Sequence, residues 1–292
     1  MEDLEALAAH QHVIARLIPL LEAIRSVAEI AWRRADQGYR PLIRYSAALR
    51  TALEQIIAAL EPEARQALLQ SWTDARPIGL LFVTSERGLC GAFNDQLVAH
   101  GLQQLRTLAA TGPTVRLLCL GSRGRRLLEA AGHTLLYHQP LPSLSVPTYL
   151  DIENIALDIL DLVEQGAFGR LMVVSNAPVR RFQFEVSIRT LLPPDITVPG
   201  RPQQRLQVKP AGDAPGLTTH LLTEYLLVEL YRAVRESVIS EQLARIQAMR
   251  LAGENAHKLF DELTLEYHLA QSHAVTNALL EIIAGYEATA RK

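Results

Sequence analysis

Cysteine and long apolar runs are scarce in this sequence, and each shortage excludes a class of protein. The two cysteines among 292 residues, Cys90 and Cys119, exclude a small disulfide-held domain and indicate a reducing, cytosolic compartment. No apolar run reaches the ~18 residues that a membrane span requires, and the start Met1-Glu2-Asp3 lacks the basic segment of an export signal. We therefore expect a folded chain that neither spans a membrane nor is exported.

The sequence also lacks an excess of charge of either sign. Lys and Arg total 29 against 31 for Asp and Glu, a net charge of -2, which argues against a general nucleic-acid binder. Hydrophobic residues make up 49% of the chain, enough to offset the entropy cost of ordering it. At ~100 to 200 residues per domain, the length allows one large domain or two smaller ones.

Two segments have small and apolar residues spaced three or four apart, which predicts coiled-coil helices. The first covers residues 24–59 and comprises Ile24, Ala28, Ala31, Ala35, Gly38, Leu42, Tyr45, Leu49, Ala52, Ile56 and Ala59. The second lies in the proline-free stretch 217–287 and comprises Ile239, Leu243, Ile246, Met249, Gly253, Ala256, Phe260, Leu263, Tyr267, Ala270 and Ala274. Gly38 and Pro41 predict a bend in the first helix, and Pro19 marks a kink or break after an earlier helical segment, 4–18.

The two helices are expected to pack against each other. A helix of ~70 residues would extend roughly 105 Å, which no compact domain can contain. We therefore predict an antiparallel coiled coil formed by residues 1–72 and 217–292. Its close contacts are predicted at Ala31, Ala35, Gly38, Gly253 and Ala256.

The middle of the chain, 73–216, predicts an α/β domain inserted between the two helices. Short apolar runs at 78–84, 115–121 and 170–175 alternate with helical stretches, the pattern of a parallel sheet. Residues 182–192 alternate at period two and predict an additional strand. A proline-rich stretch, 193–215, predicts a linker.

The loop 85–94 (SERGLCGAFN) follows a strand and precedes a helix, where phosphate-binding loops lie. It lacks the Lys-Ser/Thr of a Walker loop and the first glycine of a dinucleotide motif, which favours a tight turn with Asn94 near the helix cap. The same two readings apply to 121–126 (GSRGRR). Cys90 is interpreted as a buried thiol rather than a nucleophile, because no base can be assigned to it.

No histidine pair has the spacing of four that places two metal ligands on one helix face. The histidines therefore predict no metal site, and the incomplete loop motifs predict no bound cofactor. Arginines cluster instead on the first helix, Arg33 and Arg34 among them, as a solvated face or as a basic collar for an acidic partner.

Two blocks of sequence match motifs of a known family. The first is 84–94 (TSERGLCGAFN), similar to T-S-D-R-G-L-C-G-G-F-N. The second runs from Ser240-Glu241 through Arg245 and Met249 to Asn255-Ala256, similar to a C-terminal signature of the same family. In both blocks the chain resembles the gamma subunit of F-type ATP synthases. Residues 224–226 and the ending 285–288 are more similar to the alternate, sodium-type branch than to the housekeeping branch.

The sequence departs from the family in two places. The family's Arg-Gln pair and glutamate near the top of the shaft are replaced by Gln271, Ser272 and Ala278, and its lysine near the N-terminus by Ala31. In the family those upper positions contact a loop of the catalytic beta subunit. The departures predict an altered coupling between rotor and stator, and leave a specialised paralogue open.

The resemblance implies a central-stalk rotor subunit without chemistry of its own. It implies partners in the alpha, beta and epsilon subunits and the membrane rotor ring, and a peripheral place on the cytoplasmic face of the cell membrane. The partner contacts expected are Arg33, Arg34, Glu241, Arg245, Gln271, Ser272, Val275, Ala278, Leu279 and Ile283. A non-rotary coiled-coil scaffold and a nucleotide-binding α/β enzyme are the alternatives.

Overall fold

A five-stranded sheet is built from the apolar runs in the middle of the chain. The computed structural model describes residues 2–60, 63, 77–142, 145–180, 183–195 and 214–290. The strands are β1 (Ile78–Val83), β2 (Val115–Leu120), β3 (Tyr137–Gln139), β4 (Arg170–Arg180) and β5 (Gln183–Leu192). Their order is β3-β2-β1-β4-β5, with β4 and β5 antiparallel and the other neighbours parallel. The predicted parallel sheet with an additional strand is confirmed, and β3, too short to show a pattern in the sequence, was missed.

Six helices accompany the sheet in the part of the chain that the structure describes. They are α1 (Glu2–Gln37), α2 (Tyr39–Ala59), α3 (Phe93–Ala110), α4 (Ser122–Ala130), α5 (Tyr149–Glu164) and α6 (Ala214–Ala290). None of the helices in the described part of the chain is long and apolar enough to cross a membrane. Most of the predicted shaft segment 61–72 and of the predicted linker lies outside the described residues.

Helices cover both faces of the sheet. All six residues of β1 are buried, as expected for a central parallel strand. Because side chains alternate along a strand, Leu81 and Val83 pack with α5 and with the 226–243 part of α6. Leu80 and Phe82 point to the other face and pack with α3 and α4.

Packing divides the chain into two units, residues 29–245 and residues 1–28 with 246–292. Within 29–245, α2 and α6 run antiparallel, since Tyr39 contacts Glu236 while Ser46 contacts Glu229. Within the other unit, Gln11 donates a 2.7 Å hydrogen bond to Thr264, and Leu21 and Gly253 line one cleft. Antiparallel pairing of the N- and C-terminal helices is therefore confirmed inside each unit.

The first predicted coiled-coil pattern, 24–59, agrees with the structure up to the helix break and only at Leu42 and Leu49 after it. Ala28 and Ala35 are buried, but α1 ends at Gln37 and α2 begins at Tyr39, so the predicted bend is a break. Pro41 then lies in the first turn of α2, where its missing N–H costs no helical bond. In α2 the buried positions are Ser46, Leu49, Leu53 and Ile57. The predicted Tyr45, Ala52 and Ile56 each lie one position before a buried residue, and Ala59 is exposed. The break resets the helical phase, which a continuous repeat does not anticipate.

The second predicted coiled-coil pattern, Ile239 to Ala274, agrees with the structure over most of its length. Ile239, Leu243, Met249 and Leu263 are buried, whereas Ala274 is exposed. The close contact predicted at Gly253 is wrong, because a Cβ added there would meet nothing within 4 Å. Pro19 is also not a break, since it lies inside α1.

Candidate functional site

The polar groups of the loop between β1 and α3 hydrogen-bond to one another. The Ser85 amide donates to Asn94 Oδ1 at 3.0 Å, and Asn94 Nδ2 donates back to Ser85 Oγ at 2.8 Å. The Ser85 hydroxyl also donates to the Arg87 carbonyl at 2.7 Å. These bonds satisfy the buried polar groups that a phosphate-binding loop would direct at its ligand. The tight-turn interpretation of 85–94 fits this geometry better than nucleotide binding does.

The start of α4, the other possible phosphate site, is filled by the Glu86 carboxylate. Its oxygens accept hydrogen bonds from the Ser122 amide at 3.0 Å, from the Ser122 hydroxyl, and from the Leu141 amide at 3.2 Å. Burial acts to raise the pKa of Glu86, but the bonds from Ser122 and Leu141 outweigh it and hold that pKa below its ordinary value. A carboxylate of the chain itself therefore occupies the positive end of this helix.

Helix α6 occupies the point at which a doubly wound sheet binds its ligand. That point lies at the carboxyl end of β1, where the strand order reverses. Here the Ser237 hydroxyl donates a 3.1 Å hydrogen bond to the Val83 carbonyl, and Ala244 packs against Cys90 and Phe93. The crevice is therefore used to hold α6 on the sheet.

Arg245 joins the two sequence blocks that carry the family resemblance. Its guanidinium donates to the Gly88 carbonyl at 3.1 Å and to the Glu241 carboxylate at 2.5 Å. The two side chains are only 11% and 13% exposed, and burial raises the pKa of Glu241 even though Arg245 opposes that shift. The predicted partner residues Glu241 and Arg245 thus bond inside the chain, and their contact with a partner stays a prediction.

Leu89, at the outer edge of the same loop, is a feature that the sequence did not reveal. Its φ of 63° lies in the left-handed region, where a branched side chain is strained. Its side chain is nevertheless 61% exposed. The loop therefore presents an apolar side chain to solvent at an energetic cost, which points to an interaction surface.

A buried polar network, also missed from the sequence, fixes α6 to its neighbours. Glu236 accepts hydrogen bonds from Arg189 at 2.5 Å, Arg232 at 2.9 Å and the Tyr39 hydroxyl at 2.8 Å. Glu229, one of few charges in an apolar stretch of α6, accepts from the Ser46 hydroxyl. This last placement, a charge amid leucines and valines, is the signal that marks a buried and paired group.

The predicted contacts near the end of α6 lie on one bare stretch of helix. Every residue from 271 to 284 is exposed, including the predicted contacts Gln271, Ser272, Val275, Ala278, Leu279 and Ile283. Val275, Leu279 and Ile283 are each more than half exposed. Several large apolar side chains on one free helix form a surface of the kind that partners cover.

The other predicted groups are placed as follows. Arg33 is exposed and 3.9 Å from the Glu29 carboxylate, and Arg34 is exposed too. Both cysteines are buried, as predicted, and burial raises the pKa of Cys119 to about 12. Within the described ranges, no group of three His, Cys, Asp or Glu side chains is placed to hold a metal ion.

Similarity to known proteins extends over most of the chain. A family model described as ATP synthase matches residues 12–289. An ATP synthase gamma chain from Cereibacter sphaeroides is 30% identical over 278 residues, covering 92% of this chain and 93% of the relative. The gamma chain of Ruegeria sp. (strain TM1040) is 29% identical, with the same coverage.

Solved structures give the same fold at lower identity. A chain of the Euglena gracilis mitochondrial ATP synthase, from its OSCP/F1/c-ring structure, has a TM-score of 0.72 and 15% identity, covering 99% of this chain and 95% of its own. A chain of the Tetrahymena thermophila mitochondrial ATP synthase, from its central stalk and c-ring structure, has a TM-score of 0.59 and 19% identity, covering 80% of this chain and 99% of its own. Because the family model and the gamma-chain relatives span nearly the whole sequence, the chain belongs to the ATP synthase gamma chain family.

Proposed function

We propose that this chain is the central-stalk rotor subunit of a rotary F-type ATP synthase. It transmits torque between the membrane rotor ring and the catalytic alpha-beta ring during ion-coupled synthesis or hydrolysis of ATP. The observation that carries the proposal is the bare apolar stretch 271–284 of α6 in a chain matched over 12–289 by the family. A shaft turning in a ring requires such an outward-facing surface, whereas an enzyme would bury these side chains around a pocket.

The chain itself is proposed to be non-catalytic. Glu86 fills the start of α4, and α6 fills the crevice at the carboxyl end of β1. Both positions at which this fold would bind a phosphate are thus used for internal contacts. The alpha and beta subunits then carry the chemistry, and this chain needs no cofactor.

The proposed partners follow from the family. The alpha and beta subunits are proposed to surround the helix pair and to reach the loop after β1 that holds Leu89, while the epsilon subunit and the rotor ring bind the rest of the α/β part. A peripheral location at the cytoplasmic face of the membrane is proposed with them. The related structures from Euglena and Tetrahymena contain the c-ring, and the Euglena one also F1. The residues proposed to face alpha and beta are the exposed ones, Arg33, Arg34, Leu89 and the stretch 271–284.

Co-purification separates this function from that of a non-rotary scaffold. The tagged chain, co-expressed with alpha and beta subunits from the same source, should be recovered with both in one complex that hydrolyses ATP. A scaffold would be recovered without them. Recovery of the chain alone, from cells in which alpha and beta assemble with each other, would contradict the proposal.

Titration with ATP distinguishes the proposed rotor function from that of a nucleotide-binding enzyme. A fluorescent ATP analogue added to the isolated chain should show no saturable binding, because the Glu86 carboxylate holds the start of α4. Saturable binding that unlabelled ATP displaces would favour the enzyme.

A further inference from the structure

The break between α1 and α2 leaves carbonyl groups that need partners. The last four carbonyls of a helix have no intrahelical donor, and in α1 these belong to residues 34–37. Gly38 follows with φ −95° and ψ 0°, and its own carbonyl accepts only a long 3.4 Å bond from Leu42. A helix interrupted in this way is weakly held by its own hydrogen bonds.

Arg235 of α6 supplies the missing donors. Its Nε donates to the Ala35 carbonyl at 2.9 Å, and its Nη2 donates to the Arg34 carbonyl at 3.1 Å. Its positive charge at the end of α1 is also favoured by the helix dipole. One guanidinium thus ties the end of α1 to α6, which a lysine cannot do with two bonds at fixed angles.

Tyr231, one turn earlier on α6, holds the guanidinium in place. Arg235 Nη1 donates to the Tyr231 hydroxyl at 2.7 Å, and the guanidinium carbon lies 5.8 Å from the centre of the Tyr231 ring. These contacts fix the rotamer of a long side chain before it reaches α1, so less entropy is lost in capping the helix.

Gly38 leaves the space that the guanidinium occupies. A Cβ at this position would lie 2.7 Å from Arg235 Nη2 and 3.1 Å from its Cζ, closer than side chains approach. The backbone of Gly38 does not have a positive φ, so what the glycine provides is room rather than an unusual conformation. Gly38 and Arg235 therefore fit each other as a pair.

We propose that Arg235 is a latch on a joint at Gly38. With the latch closed, α1 and α2 are braced against α6 and the pair behaves as a stiff element despite the interrupted helix. With the guanidinium removed, the joint is free to bend and twist. As a consequence that rests on the proposed function, the latch sets the torsional stiffness of the rotor.

Hydrogen exchange of the full chain tests the latch directly. Arg235→Met keeps the apolar stem and removes the guanidinium, so amides in 36–42 should exchange about tenfold faster, the change that about 1.4 kcal/mol represents. Arg250→Ala, which removes an exposed cation from the same helix, is the control and should leave these amides unchanged. Exchange in Arg235→Met within twofold of the wild type would overturn the proposal.

A double-mutant cycle gives a second, independent test. Gly38→Ala alone displaces the guanidinium, so its gain in helix propensity should be cancelled and protection of 36–42 should not rise. In the Arg235→Met background the Cβ meets no guanidinium, and the same substitution should raise protection several-fold. An equal effect of Gly38→Ala in both backgrounds would show that the two residues are not coupled.

The rotor consequence has its own readout. In a complex with alpha and beta, Arg235→Met should widen the angular fluctuation of a bead on the α/β part during the catalytic pauses. If exchange reveals the latch but the fluctuation is unchanged, the joint does not set the stiffness. Failure of even the wild-type chain to assemble would contradict the proposed function and leave the exchange result standing.

Discussion

The guanidinium of Arg245 on α6 donates a 3.1 Å hydrogen bond to the carbonyl oxygen of Gly88, in the loop after β1. The same guanidinium pairs with the nearly buried Glu241. Arg245→Ala should therefore lower the free energy of unfolding by about 2 to 4 kcal/mol, because it strands a buried carboxylate and a carbonyl. Denaturant unfolding measures this loss. Arg250→Ala, which breaks an exposed pair with Glu254, should cost less than about 1 kcal/mol.

The loss in Arg245→Ala should depend on pH. Burial raises the pKa of Glu241 in the folded chain above its ordinary value of 4.5, so the folded state binds the proton more tightly than the unfolded state. Stability from this group consequently falls as pH rises from 4.5 through the folded pKa. Removing Arg245 raises that pKa further, and the deficit should be larger at about pH 8 than at about pH 5. Adding Glu241→Gln should abolish the difference; a deficit independent of pH would contradict this assignment.

Leu89 should contribute to the affinity for the alpha-beta ring while lowering the stability of the isolated chain. Leu89→Gly relieves the left-handed strain and should stabilise the isolated chain by about 1 kcal/mol, measured as the free energy of unfolding. The same variant should bind the alpha-beta ring less tightly. Leu89→Ala keeps the strain and removes the apolar contact, so it should weaken binding without the gain in stability. Unchanged binding of both variants would show that Leu89 faces solvent in the complex as well.

The two predicted coiled-coil patterns show how far the sequence determines this fold. The periodicity of Ile239 to Leu263 predicted the buried face of α6 correctly, because one continuous helix keeps its phase. The same reasoning placed Tyr45 on the seam, yet Tyr45 is half exposed because the break at Gly38 restarts the phase. Gly38 and Pro41 indicated an irregular helix at this point, but spacing alone does not show how far the phase shifts. It also does not show the contact of Arg235 with the Ala35 carbonyl, which joins residues 200 positions apart.

The candidate site could be predicted from the sequence only in part. Residues 271–284 are exposed among the described residues, and the contacts proposed there came from a family resemblance. The role of Glu86 at α4 was not predictable, since its bonds to Ser122 and Leu141 depend on the order of the strands. The loop motif predicted a turn, but it did not predict that Arg245 binds the Gly88 carbonyl.

The end of α6 should be neutral to folding and important to assembly. Replacing Val275, Leu279 and Ile283 with Ser should change the free energy of unfolding by no more than about 0.5 kcal/mol each, because all three are more than half exposed. Affinity for the alpha-beta ring should nevertheless fall. Met249→Ser is the contrasting variant, since Met249 is buried and its loss should cost about 2 kcal/mol or more in the isolated chain. Full affinity of the triple variant would place the contact elsewhere.

Electrostatic coupling to the ring should lie with the arginines of α1. Residues 259–288 contain neither Lys nor Arg, so the end of α6 offers an apolar bearing without a cation. Arg33 and Arg34 are exposed and can meet acidic loops of the beta subunit. Replacing both with Ala should impair ATP-driven rotation far more than Gln271→Ala with Ser272→Ala does. Equal or reversed losses would show that the end of α6 holds the coupling contacts.

Direct observation of rotation tests the central claim that this chain is a rotor. Gln103→Cys places a reactive thiol on an exposed position of α3, while Cys90 and Cys119 are buried and should label slowly. A bead attached there, on a complex whose alpha-beta ring is fixed to a surface, should turn in one direction in steps when ATP is added. A complex that assembles and hydrolyses ATP while the bead only fluctuates about a fixed angle would contradict the account.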